Sequence, residues 1–293
     1  MSEDTLTRLR SGRSVVIRRS GIALFALVFS VGNARSEILF EGYYKIEIKG
    51  VHCGFVIQRH ETVEPDGQEV IAYYVYRKEN GLVSQIGVTA RSDRSHRPLN
   101  YTYFEWLNDD ATLVKGNLSG SKLAVRKYDG SGEKILERFD PKTAPTGAIF
   151  SSLVTQFLAK TDTRNYREGL NRKFNGLSEE NSRFDQGSVQ IARSRLIDEQ
   201  RIFQVAGNFL NEPFEVFTFA NGEPLGSRNA ILNTVTYLVA SQREATAGQD
   251  VNSSNLKKVF GDRPGGATIN PISQSKGPLD AKSAIASFAP LSP

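Results

Sequence analysis

The sequence predicts a mainly β protein: a single curved antiparallel sheet, or partial barrel, with one amphipathic helix packed on it. Three observations carry this reading. Over residues 39–140, apolar and polar side chains alternate with period 2. Turn residues interrupt that alternation at even intervals, as they do between short antiparallel strands. One segment, residues 147–160, instead places its apolar residues at the spacing of a helix.

In chain order, Tyr44, Ile46 and Ile48 alternate with Lys45, Glu47 and Lys49 before Gly50. Val51, Cys53, Phe55 and Ile57 continue on one face. Glu64-Pro65-Asp66-Gly67 is a turn, because Pro presets φ and Gly supplies φ > 0. Further strands are predicted over residues 70–78, 82–91, 99–107, 111–118, 122–128 and 134–139. Asn108-Asp109-Asp110, Ser119-Gly120 and Asp129-Gly130-Ser131-Gly132 mark turns between them. In the predicted helix, Ile149, Phe150, Leu153, Val154, Phe157 and Leu158 form one stripe, with Thr146 as N-cap and Lys160 against the C-terminal dipole. A stripe this wide must be buried, and the concave face of the sheet is the place for it. Strands follow over residues 188–197, 201–210, 214–219 and 232–241, and no linker separates the two runs. Residues 37–244 therefore read as one β-rich domain.

The two ends differ. Residues 1–36 combine an Arg-rich start, the 12-residue apolar run GIALFALVFSVG and small residues at Ala34 and Ser36. That is the pattern of a secretory signal peptide, and it predicts a periplasmic or secreted protein that spans no membrane after cleavage. The alternative is an uncleaved N-terminal anchor, for which the apolar run is short against a bilayer about 30 Å thick. Residues 245–293 contain 17 Gly, Pro or Ser and two aromatics, Phe260 and Phe288. This composition predicts a disordered tail, mobile and dispensable for folding, with a short docking turn at residues 255–260 where Leu256, Val259 and Phe260 form a small apolar group.

The net charge of +5 is misleading. Residues 1–36 hold six Arg against Glu3 and Asp4, a net +4, and residues 245–293 hold +2, so the body between them carries −1. It lacks the excess positive charge that phosphate binding requires, and no nucleic-acid partner is expected. One Cys excludes an intrachain disulfide, and three His leave little material for a metal site, so no metal or cofactor is expected. Cys53 shares the register of Val51 and Phe55 and reads as a buried, inert thiol. His60, beside Arg59 and Glu61 near a turn, and His96, in the loop RSDRSHRP, read as exposed. Ser119-Gly120-Ser121-Lys122 matches S-x-x-K by chance, since it falls in a hairpin turn without the accompanying motifs.

Aromatic residues supply the candidate site. Tyr73, Tyr74, Tyr76, Tyr101, Tyr103, Phe104 and Trp106 fall on neighbouring strands and on both faces. If one face is core, the other exposes tyrosines able to stack on a sugar or an apolar ligand, and Tyr74, Tyr76, Tyr101 and Tyr103 are the expected ligand-binding residues.

The segment EGYYKIEIKGVHCGF, residues 41–55, resembles the opening of exported bacterial β-domains that precede transglutaminase-like cysteine-protease domains and also occur alone. FTFANGEPLGS, residues 217–227, is similar to their closing hairpin. The resemblance implies a curved antiparallel sheet without catalysis. No Cys, His and Asp set follows residue 227, so a protease activity does not carry over. The expectation is an exported, non-enzymatic envelope protein that binds a lipid or other apolar ligand, a glycan or an envelope protein. The alternative is a hydrolase acting on a cell-envelope polymer, recognisable by two carboxylates of opposed environment in one cleft.

Overall fold

The computed structural model describes residues 36–107, 110–161, 166–262, 264–270 and 279–291, excluding the side chains of 138–143. The expected signal peptide lies outside these residues, except for Ser36, which opens the first strand.

Eight strands form an antiparallel meander: β1 (Ser36–Ile48), β2 (Val51–Val63), β3 (Gln68–Glu79), β4 (Leu82–Ser92), β5 (Pro98–Leu107), β6 (Asp110–Ser119), β7 (Lys122–Asp129) and β8 (Lys134–Thr143). A short strand β9 (Ala148–Phe150), a 3₁₀ turn (Ser151–Leu153) and helix α1 (Val154–Thr161) follow. The second meander is β10 (Asn171–Ser178), β11 (Arg183–Ile197), β12 (Gln200–Phe209), β13 (Glu212–Thr218), β14 (Pro224–Asn229) and β15 (Thr234–Val239). β15 pairs with β1 through Tyr43 opposite Val239 and Ile48 opposite Thr234, which joins both meanders into one sheet. That sheet has 15 strands, stays open, and ends on β8 and β9. Its pairings are antiparallel except β9 with β10, whose parallel pairing requires a crossover that the 3₁₀ turn and α1 provide.

The helix is shorter than the stripe predicts. Gly147 has φ +69, the left-handed region, which cannot begin a right-handed helix, so Thr146 caps nothing and Ile149 and Phe150 enter a strand. Phe150 and Leu153 then pack with Ile71, Val88, Tyr101, Val125 and Leu177. Val154 and Leu158 pack with Phe174, Val189, Phe203 and Val205. The segment from β9 to α1 is therefore gripped by both halves of the sheet on one face, here called the inner face.

The opposite, outer face is covered by residues expected to be a tail. The chain from Ser241 onward forms α2 (Gln242–Ala245), α3 (Ser253–Phe260) and α4 (Ala281–Ala286). Leu256, Val259, Phe260, Ile285 and Phe288 are buried together with Phe55, Tyr74, Tyr76 and Phe217. The expectation of a disordered tail beginning at 245 does not hold for the described residues. A Gly-, Pro- and Ser-rich segment cannot build a core alone, but here the sheet supplies the other half of one, and each buried large apolar side chain contributes about 1.5–3 kcal/mol.

Polar ties fix this cover. Glu41, fully buried, accepts from Arg59 Nε at 2.7 Å and from the backbone N–H of Gly265 at 2.7 Å. Arg59 Nη1 reaches Asp262 at 2.7 Å, and Glu41 exchanges backbone hydrogen bonds with Ile269. At the other end, Lys282 Nζ lies 2.7 Å from Glu47, and Arg228 Nη1 donates to the Phe288 carbonyl at 3.0 Å.

Candidate functional site

A cavity of about 460 Å³ opens on the inner face between the 3₁₀ turn with α1 and strands β1, β2, β10 and β12 to β15. Its size falls in the range of small-ligand sites. The apolar wall comes from Phe174, Phe209, Phe214 and Val216 on the second meander and from Val56 and Val154 opposite. Phe174 and Phe209 stack with centroids 5.6 Å apart. Glycines on facing strands make room for these rings. A Cβ on Gly187 would lie 2.4 Å from the Phe174 ring, and one on Gly207 would lie 2.4 Å from the Phe214 ring. The rings therefore lie flat on the sheet instead of filling the space above it. Glu212 and Pro213, both exposed, form part of the rim.

The polar part of the lining comes from Gln58 on β2, from Ser151, Ser152, Thr155 and Gln156 on the 3₁₀ turn and α1, and from Tyr44, Ser227 and Thr236 on β1, β14 and β15. Gln58, Ser151 and Ser152, with Val56, also line an adjoining cavity of about 290 Å³ that reaches Ile71 and Tyr73. Ser151 Oγ donates to Glu179 Oε2 at 2.8 Å, and Ser152 Oγ contacts Glu179 Oε1. Glu179 is buried at the end of β10, and burial pushes its pKa up against the lowering effect of both serines.

Beside α1 lies a buried ionic network. His60 sits with Nδ1 2.6 Å from Glu223 and Nε2 3.3 Å from Glu69. His96 Nδ1 is 3.0 Å from Glu69, and Lys160 also binds that carboxylate. Gln156 Nε2 donates to Glu223 at 3.2 Å and so connects the network to the cavity wall. Burial alone would lower the His60 pKa, but the two carboxylates outweigh it and raise the pKa to about 9. Burial would raise the Glu69 pKa, and its bonds to His60, His96 and Lys160 instead hold it far below the usual range. Both histidines are thus buried, not exposed as their sequence neighbours suggest. β2 runs on to Val63, so His60 lies within the strand and faces α1. His96 is covered by Phe157, whose ring meets it edge-on at 5.6 Å.

The tyrosines expected to bind ligand form no exposed face. Tyr74, Tyr76, Tyr101 and Tyr103 are 0–3% exposed. Tyr74 and Tyr76 belong to the outer core under α3, and Tyr101 and Tyr103 to the inner core against Phe150. α3 covers the first pair and the segment around Phe150 the second, so these four tyrosines present no exposed aromatic surface. Cys53 is half-buried, with Sγ 3.6 Å from the Ile46 carbonyl, and burial raises its pKa, which keeps the thiol protonated. Among the described residues, no group of three or more His, Cys, Asp or Glu side chains is placed to hold a metal ion, and no helix is long and apolar enough to cross a membrane.

Sequence reasoning missed the cavity because its walls come from residues up to 192 positions apart, Tyr44 to Thr236. A local signal does exist in the spacing Phe174-x-Gly176 and Gly207-x-Phe209, which puts a ring and a gap on one strand face.

No family model and no curated protein matches the chain. The crystal structure of a DUF1089 family protein from Pseudomonas aeruginosa matches at 12% identity and a TM-score of 0.35, over 61% of this chain and 91% of that one. A likeness this distant carries no argument about function.

Proposed function

We propose that this protein is an exported, non-enzymatic binding protein of the bacterial envelope, whose ligand is an apolar or amphipathic small molecule held in the inner-face cavity. One observation carries the reading: a cavity of about 460 Å³ with a wall of phenylalanine and valine and a limited set of hydroxyl and carboxamide side chains in its lining. The flattened rings of Phe174, Phe209 and Phe214 offer a ligand the dispersion contacts that an empty cavity forgoes. Export rests on the Arg-rich start, the apolar run and the small residues at Ala34 and Ser36, and the mass of the mature N-terminus from a native host tests it. The hydrolase alternative has less support. It needs two carboxylates of opposed environment in one cleft, whereas Glu212 is the one carboxylate among the described residues lining the cavity, and Glu69, enclosed by His60, His96 and Lys160, does not line it.

The test is titration with the fluorescent apolar probe N-phenyl-1-naphthylamine. Wild-type protein should bind it saturably with one site. Val216→Trp, which fills the cavity from its wall, should abolish that binding while leaving the circular-dichroism melt cooperative. No saturable binding by wild type, or equal binding by a folded Val216→Trp variant, overturns the reading.

A further inference from the structure

The chemistry of the lining selects among head groups. Among the described residues that line either adjoining cavity, none is Lys, Arg or His, and Glu212 at the rim is the one ionisable carboxyl. An anionic head would therefore enter without a cation to pair with, and burying an unpaired charge is strongly unfavourable. The polar groups present add to this. Ser151 and Ser152 each contact a different oxygen of Glu179. That carboxyl carries at most one proton, so at least one serine donates to it, and both do when it is ionised. A serine that donates to Glu179 keeps its oxygen lone pairs as acceptors, and both serines line the cavity, so such an acceptor is available to a donor on the ligand. A carboxylate head has no proton to offer them, whereas a hydroxyl does.

Gln58 completes the arrangement. It is half-buried on β2, lines both cavities, and its side chain makes no hydrogen bond within the described protein. Its carboxamide can accept one hydroxyl and donate to another, which suits a head group with two or more hydroxyls. It lies with Ser151, Ser152 and Val56 where the two cavities meet, and the smaller of the two is not lined by Phe174 or Phe209. A hydrocarbon chain along the phenylalanines would thus end with its head at Gln58 and the serines.

We propose that the cavity takes a neutral amphiphile whose polyhydroxyl head donates to Ser151, Ser152 and Gln58, as an acylglycerol or an alkyl glycoside would, and discriminates against fatty-acid anions. This rests on the cavity being a ligand site. A competition experiment tests it: displacement of bound N-phenyl-1-naphthylamine by 1-monomyristoylglycerol, tetradecyl glucoside or myristate at pH 8, below their aggregation limits. The glycerol ester or the glucoside should displace the probe at a concentration at least about tenfold below that of myristate. Comparison of these two arms separates a glycerol head from a sugar head. Gln58→Lys places a cation at the head position and should reduce or reverse the preference against myristate. If that variant does not fold, Ser152→Ala should lower the monomyristoylglycerol-to-myristate affinity ratio. Probe binding with myristate equal to or better than both neutral amphiphiles overturns this inference and leaves the cavity reading intact. Failure of the probe to bind at all overturns the cavity reading itself.

Discussion

His60 has a carboxylate on each ring nitrogen, and its folded-state pKa of about 9 stands above the unfolded value of 6.5. A raised pKa means that the folded protein holds the proton more tightly than the unfolded chain. The stabilisation is complete below pH 6.5 and disappears as the pH rises through 9. The difference corresponds to about 3 kcal/mol. Glu69 behaves in the opposite sense. Its depressed pKa stabilises the fold above about pH 4.5, and that contribution is lost as the pH falls below it. The urea midpoint of wild-type protein should therefore fall between pH 6 and pH 9.5. A His60→Asn variant should be less stable at pH 6 and nearly flat over the same interval. A wild-type midpoint unchanged across the interval would show a neutral imidazole between the two acids. This site was not legible from sequence, because Glu223 lies 163 residues from His60 and only the closing of β15 on β1 brings them together.

The segment from β9 to α1 shows what periodicity can and cannot say about an element. Its apolar stripe correctly predicts that the segment is buried against the sheet. It cannot tell a three-residue strand from the first turn of a helix, since both place Ile149 and Phe150 inside. The backbone of Gly147 decides, and φ is not written in the stripe. The meander over β3 to β7 was legible almost to the residue, because alternation and turn chemistry agree there. β10 was not, because its sequence NRKFNGLS alternates poorly and takes its place from pairing with β9 and β11. The stripe also treats its members as equivalent, and packing separates them. Leu153 is fully enclosed between β3, β5 and β7, whereas Phe157 keeps part of its ring in solvent beside His96. Leu153→Ala should cost about 2–5 kcal/mol, the usual loss for a buried leucine. Phe157→Ala should cost about 1–2 kcal/mol, in line with a half-buried position. Denaturant melts rank the two, and the reverse order would mean that α1 is rotated on the sheet.

For the whole molecule, the organising fact is a sheet that carries cover on each face over its central strands. α1 and the cavity occupy the inner face, and the C-terminal segment occupies the outer one. A composition argument assigns that segment to disorder because it asks whether the segment can fold alone. The relevant surface is shared: Phe288 lies 5.3 Å from the Phe217 ring, and Arg59 stacks on Phe260 while its guanidinium binds Glu41 and Asp262. Removing the segment exposes Phe55, Tyr74, Tyr76 and Phe217 to water and leaves Glu41 and Arg59 without the groups that complete their hydrogen bonding. A chain ending at Ser241 should therefore be insoluble, or melt about 10 °C or more below the full chain, which corresponds to a loss of several kcal/mol in a domain of this size. Phe288→Ala separates packing from the effect of chain length. It removes one ring from the outer core, leaves the rest of the segment in place, and should cost about 3–5 kcal/mol. Thermal melts of both variants decide the matter. A truncated protein that melts with the full chain, together with a neutral Phe288→Ala, would mean that the outer face of the sheet is stable in water. A truncation that destabilises while Phe288→Ala does not would place the binding energy of the segment at α3 and the Glu41–Arg59 tie instead of at its C-terminal end.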